Sequence, residues 1–225
     1  MTISGNANAG FHLRKLMLAA AMVVAVPATV GHAGVIPYDT EEVRALISHV
    51  VKTGDLNTMS ALLREGLDLN LQDADGEPAL VTAVVAGQDD MVHLLLAHDA
   101  DVMARTDKGM TALHAAAYVG NLAIARTLIA HGAAVNDQAN IASITPLHAA
   151  AEENRLRLVK LLVSAGADVQ RVEANGYTAG SRAGWREHWD VVRFLLVSGD
   201  TCQPEDLAGA WLRDKCIHLD SGTSN

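Results

Sequence analysis

The sequence predicts an all-α protein: a solenoid of about five helix-turn-helix units with a C-terminal capping helix. Three observations predict it. The first is a beat of 33 to 34 residues, visible in the column Gly66, Asp99, Gly132, Gly166 and Gly199, and again in Leu69, Val102, Val135, Val169 and Cys202. The second is a division inside each unit between an alanine-rich helix and one with larger apolar residues. The third is composition. Half of the 225 residues are apolar but only 4% are aromatic, so the core is built from Ala, Leu and Val.

The units fall near 40–72, 73–105, 106–139, 140–172 and 173–203. In each, a threonine such as Thr111, Thr145 or Thr178 precedes a helical pattern and can satisfy its free amides. Pro146 stands at a first helical position, where its missing N–H costs nothing. The first helix then carries paired alanines, Ala116 and Ala117 or Ala150 and Ala151, and their small size lets neighbouring helices approach closely. Gly120 turns the chain. The second helix carries Ile124, Leu128 and Ile129 in one unit and Leu158, Leu162 and Val163 in the next. Gly132 and Gly166 suit the left-handed residue that ends a helix.

These segments, "TALHAAAYVGN", "TPLHAAAEEN", "LIAHGAAVN" and "LLVSAGADV", resemble the ankyrin repeat family over about residues 40 to 203. The outer units depart from the pattern, with "ALIS" at 45–48, "PALV" at 78–81 and "TAGS" at 178–181, as end units of a stack do when one side faces water. The resemblance implies a structural role for His114 and His148: tying adjacent turns together through backbone hydrogen bonds. A metal pair is the rival use of two such histidines, but no column of Cys, Asp or Glu accompanies them.

Residues 1–33 read differently. His12, Arg14 and Lys15 precede a fifteen-residue apolar run, Leu16 to Val30, and "GHA" places small residues where a signal peptidase reads. The run is shorter than the ~20 residues of a spanning helix, and Pro27 interrupts it. We therefore expect a signal peptide cleaved after Ala33, no membrane span afterwards, and a periplasmic or secreted chain. The cleavage removes two basic residues and no acidic one, taking the formal charge from −9 to −11. An acidic chain is a poor match for nucleic acid, whose phosphates need a basic face.

Motifs for chemistry are absent or incomplete. "DADG" at 73–76 falls out of register with a calcium loop and reads as a turn. Ser181 in "AGSRAG" lacks the spacing of a nucleophile elbow, and Glu152 and Glu153, as helix neighbours, do not face one another. We expect no catalysis, no cofactor and no metal. Cys202 and Cys216 are an even pair in an exported chain and are expected to form a disulfide. Cys202 occupies a column that is apolar elsewhere. "PEDLAGAWLRDK" between them reads as one short helix, with Leu207, Trp211 and Leu212 as its apolar stripe, within a 204–225 cap and tail.

In the ankyrin family the inner surface uses turn tips and the open ends of the first helices. Carried over by column, the helix ends are Lys52 and Thr53, Val85 and Ala86, Tyr118 and Val119, Glu152 and Glu153, and Trp185 and Arg186. The turn positions are Met110, Ile144 and Tyr177. Met110, Tyr118, Val119, Ile144, Tyr177 and Trp185 make this strip apolar, as interface centres are, with Glu152, Glu153 and Arg186 beside them. The expected function is non-catalytic binding of another protein by a monomeric periplasmic scaffold; the resemblance suggests support of an exported or redox enzyme. Two alternatives stand beside it: a redox- or metal-linked enzyme or carrier using Cys202 to His218, and a secreted effector acting on a host protein.

Overall fold

The computed structural model describes residues 41–73, 75–204 and 209–220. The expected signal peptide, its cleavage point and Leu207 lie outside them. The described residues form eleven helices and no strand. Ten of the helices pair into five units: α1 (Glu41–Thr53) with α2 (Leu56–Arg64), α3 (Ala79–Val85) with α4 (Asp89–Ala97), α5 (Ala112–Val119) with α6 (Leu122–Ala130), α7 (Pro146–Glu152) with α8 (Leu156–Ser164), and α9 (Ala179–Trp185) with α10 (Trp189–Val197). The eleventh, α11 (Ala210–Asp220), packs on α10 and α9 at the C-terminal end.

The first helices stack in order, α1 on α3, α3 on α5, α5 on α7 and α7 on α9, and form the inner row. Alanine makes this close stacking possible: Ala83, Ala116, Ala117, Ala150, Ala151 and Ala183 are all fully buried. The second helices form the outer row and bury Met91, Leu95, Ile124, Leu128, Leu158, Leu162 and Leu195. The core is therefore one continuous slab between two helical rows, shared from unit to unit.

The turns between units follow a common plan. One polar side chain closes each of the first three. Asp73 Oδ1 accepts from the amides of Asp75 and Glu77, Thr106 Oγ1 from Met110, and Asn140 Oδ1 from Ile144. Antiparallel bridges join Gln72 to Pro78, Arg105 to Thr111 and Val172 to Thr178. "DADG" is such a turn, and Asp73 Oδ2 also accepts from Thr82 Oγ1 of α3. The 34-residue step seen in the sequence lies in the turn before α7. There Ser143 takes φ of 52° and the loop spans its neighbours, Ile141 donating to Lys108 O and Ala174 to Ala142 O.

The cap departs from expectation in position. The helix does not fill the segment between the cysteines. Gly209 adopts φ of 78°, a left-handed conformation that breaks helix continuity, and α11 begins only at Ala210 and runs through Cys216. Its inward stripe is Leu212 and Cys216, with Leu219 partly buried, while Trp211 is half-exposed. Cys202 and Cys216 are bonded, with their Cα atoms 5.7 Å apart. Cys216 is the buried partner and Cys202 is only half-buried.

Candidate functional site: the inner face

His114 and His148 occupy the same place in α5 and α7 and do the same work. Both are fully enclosed. Nδ1 of His114 accepts from the Thr111 amide (3.3 Å) and lies 2.9 Å from Thr111 Oγ1, while Nε2 lies 3.0 Å from Ile144 O in the next unit. His148 repeats this with Thr145 (3.2 and 2.8 Å) and Tyr177 O (3.0 Å). An accepting Nδ1 and a carbonyl at Nε2 require the neutral ring with its proton on Nε2. Burial enforces that state, pushing His148 down to about 4 and His114 below the usual histidine range. Ile144 and Tyr177, whose carbonyls the rings hold, are two of the turn residues singled out for binding. The histidines thus position the inner face and are not open to a partner themselves.

The strip itself is uneven. Tyr118 is 59% exposed and Trp185 50%, and Val119 and Arg186 are also open. Met110, Ile144, Tyr177 and Glu153 are half-buried in their turns and helix ends. Glu152 is tied up: Arg182 Nη2 lies 2.5 Å from Oε2 and Arg186 Nη2 2.8 Å from Oε1, and Glu173 lies 3.8 Å from Arg182. Burial alone would raise the Glu152 carboxyl; the hydrogen bond from Arg186 and the two guanidinium charges outweigh it and hold the group below its ordinary range. This network joins unit four to unit five, so Glu152 and Arg186 act as one pair.

Three residues of this surface were outside the sequence-derived site. Val85 is 59% exposed on the same helix-end column and borders a cleft of about 460 Å³ with Lys52, Asp75 and Glu77. It stands on the column of helix ends but outside the apolar strip read from the sequence. Ile141, 78% exposed, tops the lengthened turn, a place the column register could not supply. Arg182 sits one turn before the helix end, and only the packed geometry reveals its bond to Glu152. Among the described residues no group of three or more His, Cys, Asp or Glu is placed to hold a metal ion, and no helix is long and apolar enough to cross a membrane.

A double row of short stacked helices, with turns closed by side chains and an open strip along the first-helix ends, defines a repeat-built scaffold for protein–protein interaction. The family model for ankyrin repeats (3 copies) matches residues 46–139 and 134–206, and the chain belongs to the ankyrin repeat family. It is 38% identical over 87 residues to a putative ankyrin repeat-containing protein of Treponema pallidum (strain Nichols), a match covering 38% of this chain and 29% of that protein. It is 39% identical over 84 residues to the B-cell lymphoma 3 protein homolog of Mus musculus, covering 37% of this chain and 19% of that one. It is 31% identical over 87 residues to serine/threonine-protein kinase 12 of Arabidopsis thaliana, covering 39% and 19%. The chain thus spans less than a third of the length of these relatives.

Proposed function

We propose that this protein is an exported, periplasmic scaffold that binds one partner protein through the inner face, without catalysis. The observation that carries the reading is the set of open apolar side chains at equivalent helix ends: Val85, Tyr118, Val119 and Trp185, at the ends of the three helices α3, α5 and α9. Aromatic anchors on rigid elements lose little conformational entropy on binding and commonly dominate interface energetics. The Glu152–Arg182–Arg186 network rims the strip and fixes polar orientation. The basic start and apolar run of residues 1–33 support export. The tail alternative has no free thiol to use, since Cys202 and Cys216 are joined.

The test has two parts. Sequencing the N-terminus of protein recovered from its native host should give Gly34, and an intact Met1 chain in the cytosol would remove the periplasmic assignment. A pull-down with the chain beginning at Gly34, compared with its Tyr118→Ala and Trp185→Ala variants, should enrich a protein whose recovery drops with both variants. Equal recovery by all three would move the site elsewhere.

A further inference from the structure

The outer row has a chemistry of its own. Helices α6, α8 and α10 together hold Arg126, Arg157, Lys160 and Arg193 but one carboxylate, Asp190, in a chain whose formal charge is −9. The first two units do not share this excess. The column that reads Arg126, Lys160 and Arg193 is Ser60 and His93 there, and α4 opens on Asp89 and Asp90. All four cations are exposed, and none is ion-paired among the described residues. Lys160 instead lies over the Phe194 ring, 5.6 Å from its centre.

Apolar and aromatic groups share this surface. Trp189, Arg193 and Val197 follow at intervals of four along α10 and so line one face. Val197 is 86% exposed where the other units place Arg64, Ala97, Ala130 and Ser164. The cap extends the patch: Trp211 meets Trp189 edge-on at 5.8 Å, and Lys215 lies 6.0 Å from the Trp189 ring centre.

We propose that this outer face docks on an anionic lipid bilayer, its cations among the headgroups and Trp211 and Val197 at the apolar boundary. Charge complementarity selects an anionic occupant. Arg126, Arg157, Lys160 and Arg193 are spread along the outer row without ion pairs among the described residues, unlike the tightly fixed Glu152–Arg182–Arg186 network. Such an arrangement suits a continuous charged surface better than the fixed registry of a protein epitope. Tryptophan and exposed aliphatic groups beside Lys and Arg are what an interfacial surface requires. Of the carboxylates, Asp190 of α10 and Asp214 and Asp220 of α11 share these helices, against the cations Arg126, Arg157, Lys160, Arg193 and Lys215, so the surface keeps an excess of positive charge. The inner face stays free, so a bilayer-bound scaffold can still hold its partner.

The experiment is co-sedimentation of the chain beginning at Gly34, which contains every described residue and lacks the apolar run of 16–30. Vesicles of phosphatidylcholine alone are compared with vesicles carrying one part phosphatidylglycerol to two of phosphatidylcholine, at low salt. Binding should require phosphatidylglycerol and fall as salt rises. The triple variant Arg157→Glu, Lys160→Glu, Arg193→Glu should lose at least about tenfold in vesicle affinity while keeping the parent's melting temperature within a few degrees. Trp211→Ser should weaken binding further than its unchanged charge accounts for. Lys52→Glu with Lys108→Glu, on the opposite edge, should leave affinity within about twofold. Failure to bind anionic vesicles, equal binding to both vesicles, or equal loss from the inner-edge reversals would overturn the proposal. Saturable binding of a polyglutamate peptide with none to vesicles would overturn it too, assigning the face to an acidic protein.

Discussion

Units three and four close themselves differently from unit five. In the inner units a leucine, Leu113 or Leu147, fills the core beneath the helix start, and a histidine one residue later reaches the next unit's carbonyl. Unit five has no following repeat, so a histidine there would have no carbonyl to hold. Ser181 takes the histidine's place and Gly180 the leucine's. The space is filled by Asp200, which stands where the other units have Leu67, Ala100, Ala133 and Ala167. Its Oδ2 accepts from the Gly180 amide at 3.1 Å and Thr178 Oγ1 at 3.2 Å, and Oδ1 from Thr201 N at 2.8 Å. Gly184, where other units carry Ala117, Ala151 or Val84, leaves room for Leu212 of the cap: a Cβ there would meet Leu212 Cδ1 at 2.5 Å. Gln203 bonds Gly176 O at 2.6 Å, doing from the chain what the next turn would have done. An array end is therefore a rewritten repeat, with each deletion matched by an insertion from the tail.

That matching can be broken most sharply at Gly180. A Cβ there would overlap Asp200 Oδ2, so Gly180→Leu should cost about 3 kcal/mol by overpacking and displacing a bonded carboxylate. Adding Asp200→Ala restores the inner-unit pair and should recover much of the loss, a coupling that a double-mutant cycle of chemical denaturation would read. Cys216→Ala opens a loop of about 15 residues, worth up to roughly 3 kcal/mol in the chain-entropy model. Hydrogen exchange should show the loss concentrated in α11 and α10, with units two to four unchanged, because repeats couple mainly to their neighbours.

In the inner units His148→Ala leaves the buried Thr145 amide without its acceptor and removes one of the two donors at the Tyr177 carbonyl, the other being the Glu173 amide, and should cost roughly 2 kcal/mol. The two closures also respond oppositely to acid. Folded His148 protonates near pH 4 against 6.5 when unfolded, so the unfolded chain binds more protons between those values and unit four weakens as pH falls through them. Burial raises Asp200 to about 6 from 3.8, so the folded chain takes up the proton first, and unit five is strengthened as pH falls from about 6 toward 3.8. Exchange protection around His148 and around Asp200 should move in opposite directions between pH 7 and 5. Smallest is Glu187→Gly. Glu187 takes φ of 61° in the column that holds Gly54, Gly87 and Gly120, and glycine there should stabilise unit five by up to about 1 kcal/mol, read as a rise in melting temperature.

Much of this was legible in the sequence because a repeat prints its constraints several times. The histidines, the paired alanines and the glycine beat each recur in register, and the structure places them in equivalent positions. The cap was legible only as a cysteine pair and an apolar helix. Its start was misplaced because Gly209, a single residue outside any column, decides where α11 begins. The exchange of Leu for Gly180 showed in the sequence as the departure "TAGS" at 178–181, but its match to Asp200 did not: it is one packed event spread over twenty residues, and only the packed structure joins its two ends. On the inner face, column logic found Tyr118, Val119 and Trp185 but could not find Ile141, which lies in the turn whose one extra residue breaks the column.

The central claim is that the inner strip binds while the histidines only build. Melting and affinity for the captured partner, measured together on Tyr118→Ala and His148→Ala, test it most directly. The account predicts that Tyr118→Ala weakens binding at least about tenfold with little change in melting temperature, since a half-exposed ring supports binding more than packing. His148→Ala should lower the melting temperature and leave binding unchanged at temperatures where the variant is still folded, weakening it only through loss of the fold. Unfolding by Tyr118→Ala, or unchanged affinity in a folded variant, would contradict it.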